Sequence, residues 1–338
     1  MHQLKDESIQ LVVTSPPYPM IEMWDSSFSN QNHKVETALK NNEAQLAFEQ
    51  MHTELDKVWL ELSRVVVVGG FVCVNIGDAT RSVNQQFALH SNHSRIITAF
   101  TKLGFVNLPN ILWRKQTNAP NKFMGSGMLP AGAYVTLEHE WILIFRKGNK
   151  HDFKTQSEKL KRKQSAYFWN ERNIWFSDVW DLKGIRQIIY KNTKKETKST
   201  NIRNRSAAFP FEIPYRLINM YSLQGDTILD PFLGTATTML AAIASNRSSI
   251  GYEIEPDFSK IILENLLSVP TSFYNQVIQN RIKSQQQCIE SNQNREFKHY
   301  NKNLNLPVMT SQETEILFHF IKEVKAQENK NEVIAIYQ

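Results

Sequence analysis

Three features of this 338-residue chain predict an α/β fold in which strands and helices alternate around one sheet. First, Asp226-Thr-Ile-Leu-Asp230 is an apolar strand. It runs into the turn Pro231-Phe-Leu-Gly234-Thr-Ala236, then into the helical stretch Met239–Ser245 and a second strand, Ser248–Glu255. Second, Ile9–Val13 is a short apolar run that ends abruptly at Thr14-Ser15-Pro16-Pro17-Tyr18. Third, further apolar runs at Val65–Ile76, Val106–Arg114 and Glu138–Phe145 alternate with stretches of helical period.

Taken in order, residues 1–8 are polar and Ile9–Val13 reads as a buried strand. Met20–Asn42 is polar and irregular, with Trp24 and Phe28 as candidate base-facing aromatics. Ala44–Ser63 carries Leu46, Phe48, Met51, Leu55, Val58 and Leu62 at helical spacing. Val65–Ile76 is one buried strand or a pair broken at Gly69-Gly70. Ser94–Leu103 reads as a helix stopped by Gly104. Gly125-Ser-Gly-Met-Leu-Pro-Ala-Gly132 is a flexible loop between two strands. Pro214–Ser222 reads as a helix with proline near its start. Residues 265–309 are rich in Gln and Asn. Thr310-x-x-Glu313 resembles a capping box before an apolar helical face, Ile316 to Val324.

The length allows a large core, and 41% hydrophobic residues suits a globular protein. No apolar run nears the roughly 18–20 residues that cross a bilayer, and the N-terminus has no signal-peptide core, so no membrane partner is expected. Cys73 and Cys288 make neither a disulfide framework nor a zinc site and fit a reducing cytoplasm; no metal is expected. The net charge of +6 is uneven: residues Arg146 to Arg205 hold 17 Lys/Arg against 6 Asp/Glu, a balance of +11, leaving 22 against 27, or −5, elsewhere. Such a segment fits either a polyanion partner or a solvated loop. Tyr167, Phe168, Trp169, Trp175, Phe176 and Trp180 interleave with it. They fit base stacking and a small core equally. Lys191–Arg205 is nearly free of apolar residues and reads as a linker or DNA-contacting arm.

The Ser15-Pro16-Pro17-Tyr18 step has its own chemistry. Two prolines continue neither a helix nor a ladder, and they hold the turn in extended geometry. Such a turn either simply leaves a strand or clamps a planar group bearing an NH2. In the clamp, Ser15 Oγ and the Pro16 carbonyl accept its hydrogens while Tyr18 stacks on its face. Glu253 follows Gly234 by 19 residues (253 − 234), near the roughly 20-residue spacing at which an acid meets a ribose in nucleotide-binding folds.

Ser15-Pro-Pro-Tyr18 together with Asp230-Pro-Phe-Leu-Gly234 resembles the amino-group DNA methyltransferases of restriction–modification systems. The catalytic motif precedes the cofactor motif, as in their permuted β group. Val65–Asp78, His139–Lys147, Asp178–Asp181 and Arg205–Pro214 resemble the family's other segments in order, so the resemblance spans roughly residues 9–265. It implies a Rossmann-like S-adenosylmethionine-dependent methyltransferase sheet with circularly permuted motif order and an inserted basic target-recognition region. The implied divisions are 1–147, catalytic; 148–204, the basic insert; 205–265, cofactor-binding; and 266–338, a helical C-terminal extension.

The implied catalytic residues are Ser15, Pro16, Pro17 and Tyr18. The implied binders of S-adenosyl-L-methionine are Thr14, Phe209, Pro210, Asp230, Phe232, Gly234, Thr235, Thr237 and Glu253. The implied reaction is methyl transfer to the N4 amine of cytosine in double-stranded DNA, because the Ser form of the motif goes with cytosine more often than the Asp form. Adenine N6 is the alternative, and an inactive, truncated DNA-binding relative is a third reading. The implied partners are duplex DNA, a second copy in a homodimer, and a cognate restriction endonuclease as a functional partner. Methylation at ring carbon C5 is disfavoured, because it needs a cysteine nucleophile and neither cysteine adjoins a proline. The chain departs from the family pattern twice. Ala236 stands where glycine is usual, and Met1-His-Gln-Leu begins inside the helix that should follow a Gly-Asp strand, so that strand and its acid are expected to be missing.

Overall fold

The computed structural model describes residues 1–116, 124–184, 209–292, 294, 296–327 and 331–338. The expected linker Lys191–Arg205 lies outside the described residues. The main sheet strands, in chain order, are β1 (Ile9–Thr14), β2 (Val66–Ile76), β3 (Phe105–Asn107), β4 (Ile111–Gln116), β5 (His139–Lys147), β6 (Val179–Lys183), β7 (Thr227–Asp230) and β8 (Ser248–Gly251). They line up as β6-β4-β5-β2-β1-β7-β8, with β3 also on β5. Every pairing is parallel except those made by β5. The expected Rossmann-like α/β sheet is therefore present.

The Val65–Ile76 run is one strand. Its partner β1 advances from Ile9 to Leu11 while β2 advances from Val66 to Phe71, so the extra residues bulge out. Gly69 takes φ +84° there, and a Cβ would sit 2.7 Å from the His151 backbone nitrogen. Glycine is required by both angle and space.

Alternation along β1 fills two cores. Val12 faces one layer, with Val72, Val74 and Leu229. Leu11 and Val13 face the other, with Cys73 and Ile228. Burial on both faces explains the unbroken apolar run. The first layer holds helices α1 (Asp25–Gln31), α2 (His33–Lys40), α3 (Ala44–Val65) and α4 (Asn92–Lys102). Met51, Leu55, Trp59 and Leu62 form the buried stripe of α3, each contributing about 1.5–3 kcal/mol on burial. Met20–Asn42 is thus helical rather than irregular. Phe28 is core, at 2% exposure, because its spacing with Val35 and Ala38 aims all three inward.

Next come α5 (Gln156–Gln164) and α6 (Trp169–Trp175). The second layer holds α7 (Glu212–Tyr221), α8 (Thr237–Ala244), α9 (Phe258–Ser268) and α10 (Thr271–Glu290). Among the aromatics of the basic segment, Phe168, Trp175 and Trp180 are buried, so for these the core reading holds. Arg281 of α10 pairs with buried Glu171 of α6 at 2.5 Å and lies over the Trp175 ring.

The C-terminal extension is not wholly helical. After α10 come two hairpins, His299–Asn301 with Leu306–Val308 and Ile321–Ala326 with Val333–Tyr337. Glu313 does bond Thr310 as in a capping box, yet no helix follows. Its other oxygen takes the Trp169 N–H, and Ile316 drops into a small core with Phe168, Leu306 and Val308. Apolar spacing in a short run did not separate strand from helix.

Candidate active site at the carboxyl edge of the sheet

The chain leaves β1 for β2 on one side and β7 for β8 on the other. The winding therefore reverses between β1 and β7, and in such sheets ligands bind outside the strand ends at the reversal. Ser15 and Pro231 emerge there side by side. A cleft of about 390 Å³ opens at this point. The motif residues lining it are Ser15, Pro16 and Pro17 from one turn, and Phe209, Asp230, Phe232, Gly234, Thr235, Thr237 and Glu253 from the other half. Two segments far apart in sequence, Thr14 and Asp230 being separated by 216 residues, are thus brought together. A larger cleft of about 670 Å³ lies between α9 and the C-terminal hairpin but contains no part of the Ser15 turn. Volume alone does not locate the chemistry.

Thr14 and Pro210 do not line the cleft. Thr14 is fully buried and donates to Asp230 Oδ1 at 2.6 Å. Pro210 is buried next to Phe209 at the entry to α7. Asp230 is 3% exposed and its carboxylate is well occupied. Thr238 Oγ1 donates to Oδ2 at 2.7 Å and the Phe232 N–H to Oδ1 at 3.1 Å. Burial nonetheless raises its pKa to about 6 against these bonds, with Glu253 adding to the rise. Asp230 therefore fastens the two turns.

Glu253 Oε2 accepts the Gly234 N–H at 2.9 Å and Oε1 the Glu255 N–H at 3.1 Å. A carboxylate has about four acceptor positions, so two remain for hydroxyls of a ligand. Ala236 adopts φ +68° and ψ 27° and is fully buried. Its position is left-handed, not helical, so alanine carries a backbone cost of about 1 kcal/mol that glycine avoids.

Tyr18 is not displayed as a stacking platform. It is 8% exposed, its ring lies against Gly77, where a Cβ would approach Cε2 to 2.9 Å, and burial pushes its pKa well up. Its hydroxyl donates to Glu140 Oε2 at 2.8 Å. Asn75 Nδ2 donates to the Tyr18 hydroxyl at 2.9 Å and to Glu140 Oε2 at 2.8 Å. Lys115 Nζ holds Glu140 Oε1 at 2.8 Å. Ser15 Oγ lies 3.2 Å from the Tyr18 hydroxyl. The single tyrosine proton is committed to Glu140, so Ser15 is the donor in that contact; its oxygen accepts from Asn75 Nδ2 at 3.4 Å, which leaves one acceptor position for a ligand in the cleft.

Asn75, Glu140 and Lys115 belong to neither motif of the sequence. Asn75 and Glu140 lie near the ends of β2 and β5, where a polar residue inside a buried apolar run is the signal that marks them. Of the aromatics in the loop after β1, Trp24 does line the cleft.

The basic helix α5 lies at the other end of the sheet. Lys161 pairs with Asp226, just before β7, at 3.0 Å, and Ser165 Oγ accepts the Gln224 N–H at 2.9 Å. Among the described residues no cluster of His, Cys, Asp or Glu could hold a metal ion, and no helix is long and apolar enough to cross a membrane.

The cleft's donor set fits S-adenosyl-L-methionine. Glu253 offers free acceptors for ribose hydroxyls, Phe232 an apolar ring for the adenine, and Thr235 and Thr237 line the same wall. Comparison with known proteins agrees. The family model for N6/N4 DNA methylases matches residues 9–264. The type II methyltransferase M.MthZI of Methanothermobacter thermautotrophicus is 50% identical over 340 residues, covering 100% of this chain and 92% of the relative. The type II methyltransferase M.MjaI of Methanocaldococcus jannaschii is 50% identical over 277 residues, covering 79% of this chain and 88% of the relative. The TTHA0409 protein of Thermus thermophilus, solved in complex with S-adenosyl-L-methionine, superposes with a TM-score of 0.58 at 28% identity, covering 78% of this chain and 87% of that one. The chain belongs to the N6/N4 DNA methylase family, the β-ordered amino-methyltransferases that take their methyl group from S-adenosyl-L-methionine.

Proposed function

We propose that this protein is a type II, site-specific methyltransferase that methylates the N4 amine of cytosine in double-stranded DNA, as the modification arm of a restriction–modification system in the cytoplasm. The reading is carried by Ser15, which keeps an acceptor position and lines the same cleft as Phe232, Gly234 and Glu253.

The exocyclic amine is a poor nucleophile because its lone pair is delocalised into the ring. Ser15 Oγ and the Pro16 carbonyl accept its two hydrogens and turn the lone pair toward the donor. Bound S-adenosyl-L-methionine supplies an electrophilic methyl group. As the amine nitrogen becomes cationic, the same two bonds strengthen, which favours the transition state over the bound substrate. Tyr18, Asn75, Glu140 and Lys115 are positioning residues: they fix which way the Ser15 proton points. A paired base cannot present this amine, so the target flips out of the duplex into the cleft. Thr14, Asp230 and Thr238 hold the two turns in register, while Phe209, Phe232, Gly234, Thr235, Thr237 and Glu253 bind the cofactor.

The test is mass spectrometry of nucleosides from plasmid DNA treated with the protein and methyl-labelled S-adenosyl-L-methionine. Labelled N4-methylcytosine is expected. Labelled N6-methyladenine would move the target to adenine, and no labelled nucleoside would overturn the enzymatic reading.

A further inference from the structure

Flipping a base leaves a hole in the duplex, and one feature of the carboxyl edge has the shape to fill it. Between β4 and β5 the chain makes a small hairpin in which Met124 pairs with Tyr134 and Gly125 with Ala133. Its tip is held rigidly from within. The Ser126 N–H donates to the Gly132 carbonyl at 2.8 Å, and Ser126 Oγ donates to the Leu129 carbonyl at 2.7 Å. Gly125, Gly127 and Ala131 all take positive φ, which closes the turn tightly. With backbone groups bonded inward, the tip offers apolar side chains outward: Met128 is 87% exposed and Leu129 69%. Two adjacent large hydrophobics held in water on a preorganised turn gain nothing for folding.

The hairpin's position suits a role at the catalytic cleft. β4 runs in the same direction as β1, so it ends on the same edge as Ser15. The hairpin leads back into β5, whose second residue is Glu140 of the Ser15–Tyr18 network. Tyr134 stacks on Phe87 at 4.5 Å. Phe87 belongs to a second hairpin, Ala79–Val83 with Gln86–His90, that starts two residues after Gly77, the glycine against the Tyr18 ring. The two hairpins brace each other at the same edge of the sheet as Ser15, and neither lines the cleft itself. Tyr134 and Val135 extend the apolar surface down the hairpin, at 49% and 84% exposure, and the two side chains at its tip match the width of a single base-pair step. Apolar wedges of this kind enter the stack of deformed duplexes.

We propose that Met128 and Leu129 form a wedge that enters the DNA duplex at the place vacated by the target base and keeps that base in the cleft. The inference rests on the base-flipping reading above. The wedge stabilises the extruded state, so its contribution falls away when the base is already unpaired, because such a base costs least to extrude.

The test compares wild type with the double variant Met128→Ser, Leu129→Ser on two oligonucleotide duplexes bearing the site mapped by modification sequencing. One duplex is fully paired. In the other, the target base faces an abasic position. The variant is expected to lose about tenfold or more in kcat/KM on the paired duplex and to match wild type on the abasic one. Its thermal shift with S-adenosyl-L-methionine is expected to equal that of wild type, showing an intact fold. Equal activity of variant and wild type on both duplexes, or an equal loss on both, would overturn the wedge while leaving the methyltransferase reading intact. Failure of the wild type to label either duplex would overturn both.

Discussion

The two edges of the main sheet differ in how their polar groups are spent. At the amino edge, charge is consumed by structure. Arg64 bonds the Met1 and Leu4 carbonyls, Asp6 and Glu61. Lys147 reaches Glu7 and the Val66 carbonyl, and Lys161 pairs with Asp226. Buried Arg247 bonds Ser222 and the Ser245 carbonyl, and burial holds its pKa down at about 10. At the carboxyl edge, several groups are left unspent. Asn75 Oδ1, His90 Nε2 and Trp141 Nε1 are buried without a partner, and Asp230, though bonded to Thr14, Thr238 and the Phe232 N–H, keeps a raised pKa. Met128, Leu129 and Val135 stand exposed. Unsatisfied groups cost stability. Buried atoms without a partner also occur away from this edge, at Asn170 Oδ1, Tyr274 Oη and Gln285 Oε1, so what sets the edge apart is that Asn75 stands against Ser15, which lines the cleft. The basic helix α5 lies at the amino edge instead, where Lys161 pairs with Asp226.

The largest effect should come from Ser15→Ala, which removes one of the two acceptors on the amine. The methylation rate should fall about 10²–10³-fold in single-turnover assays, with cofactor affinity little changed. Near-normal turnover would take Ser15 out of the chemistry and leave the carboxyl edge without its centre.

Asp230 gives a pH test of the same edge. Its pKa is about 6 in the fold against 3.8 for a free carboxyl group, so the folded state holds its proton more tightly. This contribution to stability is full below pH 3.8 and is lost as pH rises through 6. The difference in unfolding free energy between wild type and Asp230→Asn should therefore fall by about 3 kcal/mol across that window, at roughly 1.4 kcal/mol per unit. Denaturant titrations at several pH values measure it. A flat difference would mean that Asp230 is not a strained, buried acid.

Glu140→Gln should have a smaller effect. The glutamine amide can donate to the Tyr18 hydroxyl and reverse the chain of protons, so that Ser15 accepts from Tyr18 instead of donating to it. A loss of kcat of about tenfold with KM for cofactor unchanged is expected, the order of magnitude for one misdirected hydrogen bond. Unchanged kcat would reduce the network to packing.

The smallest effect is expected at the amino edge. Lys159 and Lys163 are exposed on α5. Replacing both with alanine should change methylation by less than about twofold, and the salt slope of DNA binding by less than the roughly 0.9 per phosphate contact. A slope lowered by two contacts would return α5 to the DNA interface and undo the contrast between the edges.

Much of the fold was legible because period and burial agree in long elements. The two-faced burial of β1 wrote an unbroken apolar run, and α3 wrote its buried stripe along its whole length. The two turns of the site were legible as residue types that serve poorly anywhere else, Ser-Pro-Pro-Tyr and Asp-Pro-Phe-Leu-Gly. Three kinds of fact were not legible. Glu140 and Asn75 act through contacts that only the sheet order creates. The buried state of Tyr18 depends on Gly77, 59 residues away (77 − 18). The position of α5 depends on Asp226, across a gap of 65 residues in sequence. Local charge carries no address, because the edge a loop occupies is set by strand direction.

Amide hydrogen exchange with and without a duplex carrying the mapped site tests the central claim most directly, since it reads both edges in one experiment. Slowed exchange is expected in residues 14–18, 77–92 and 124–138 on adding DNA and cofactor, with no change in residues 150–165. Slowed exchange confined to residues 150–165, with the carboxyl-edge hairpins unaffected, would contradict it.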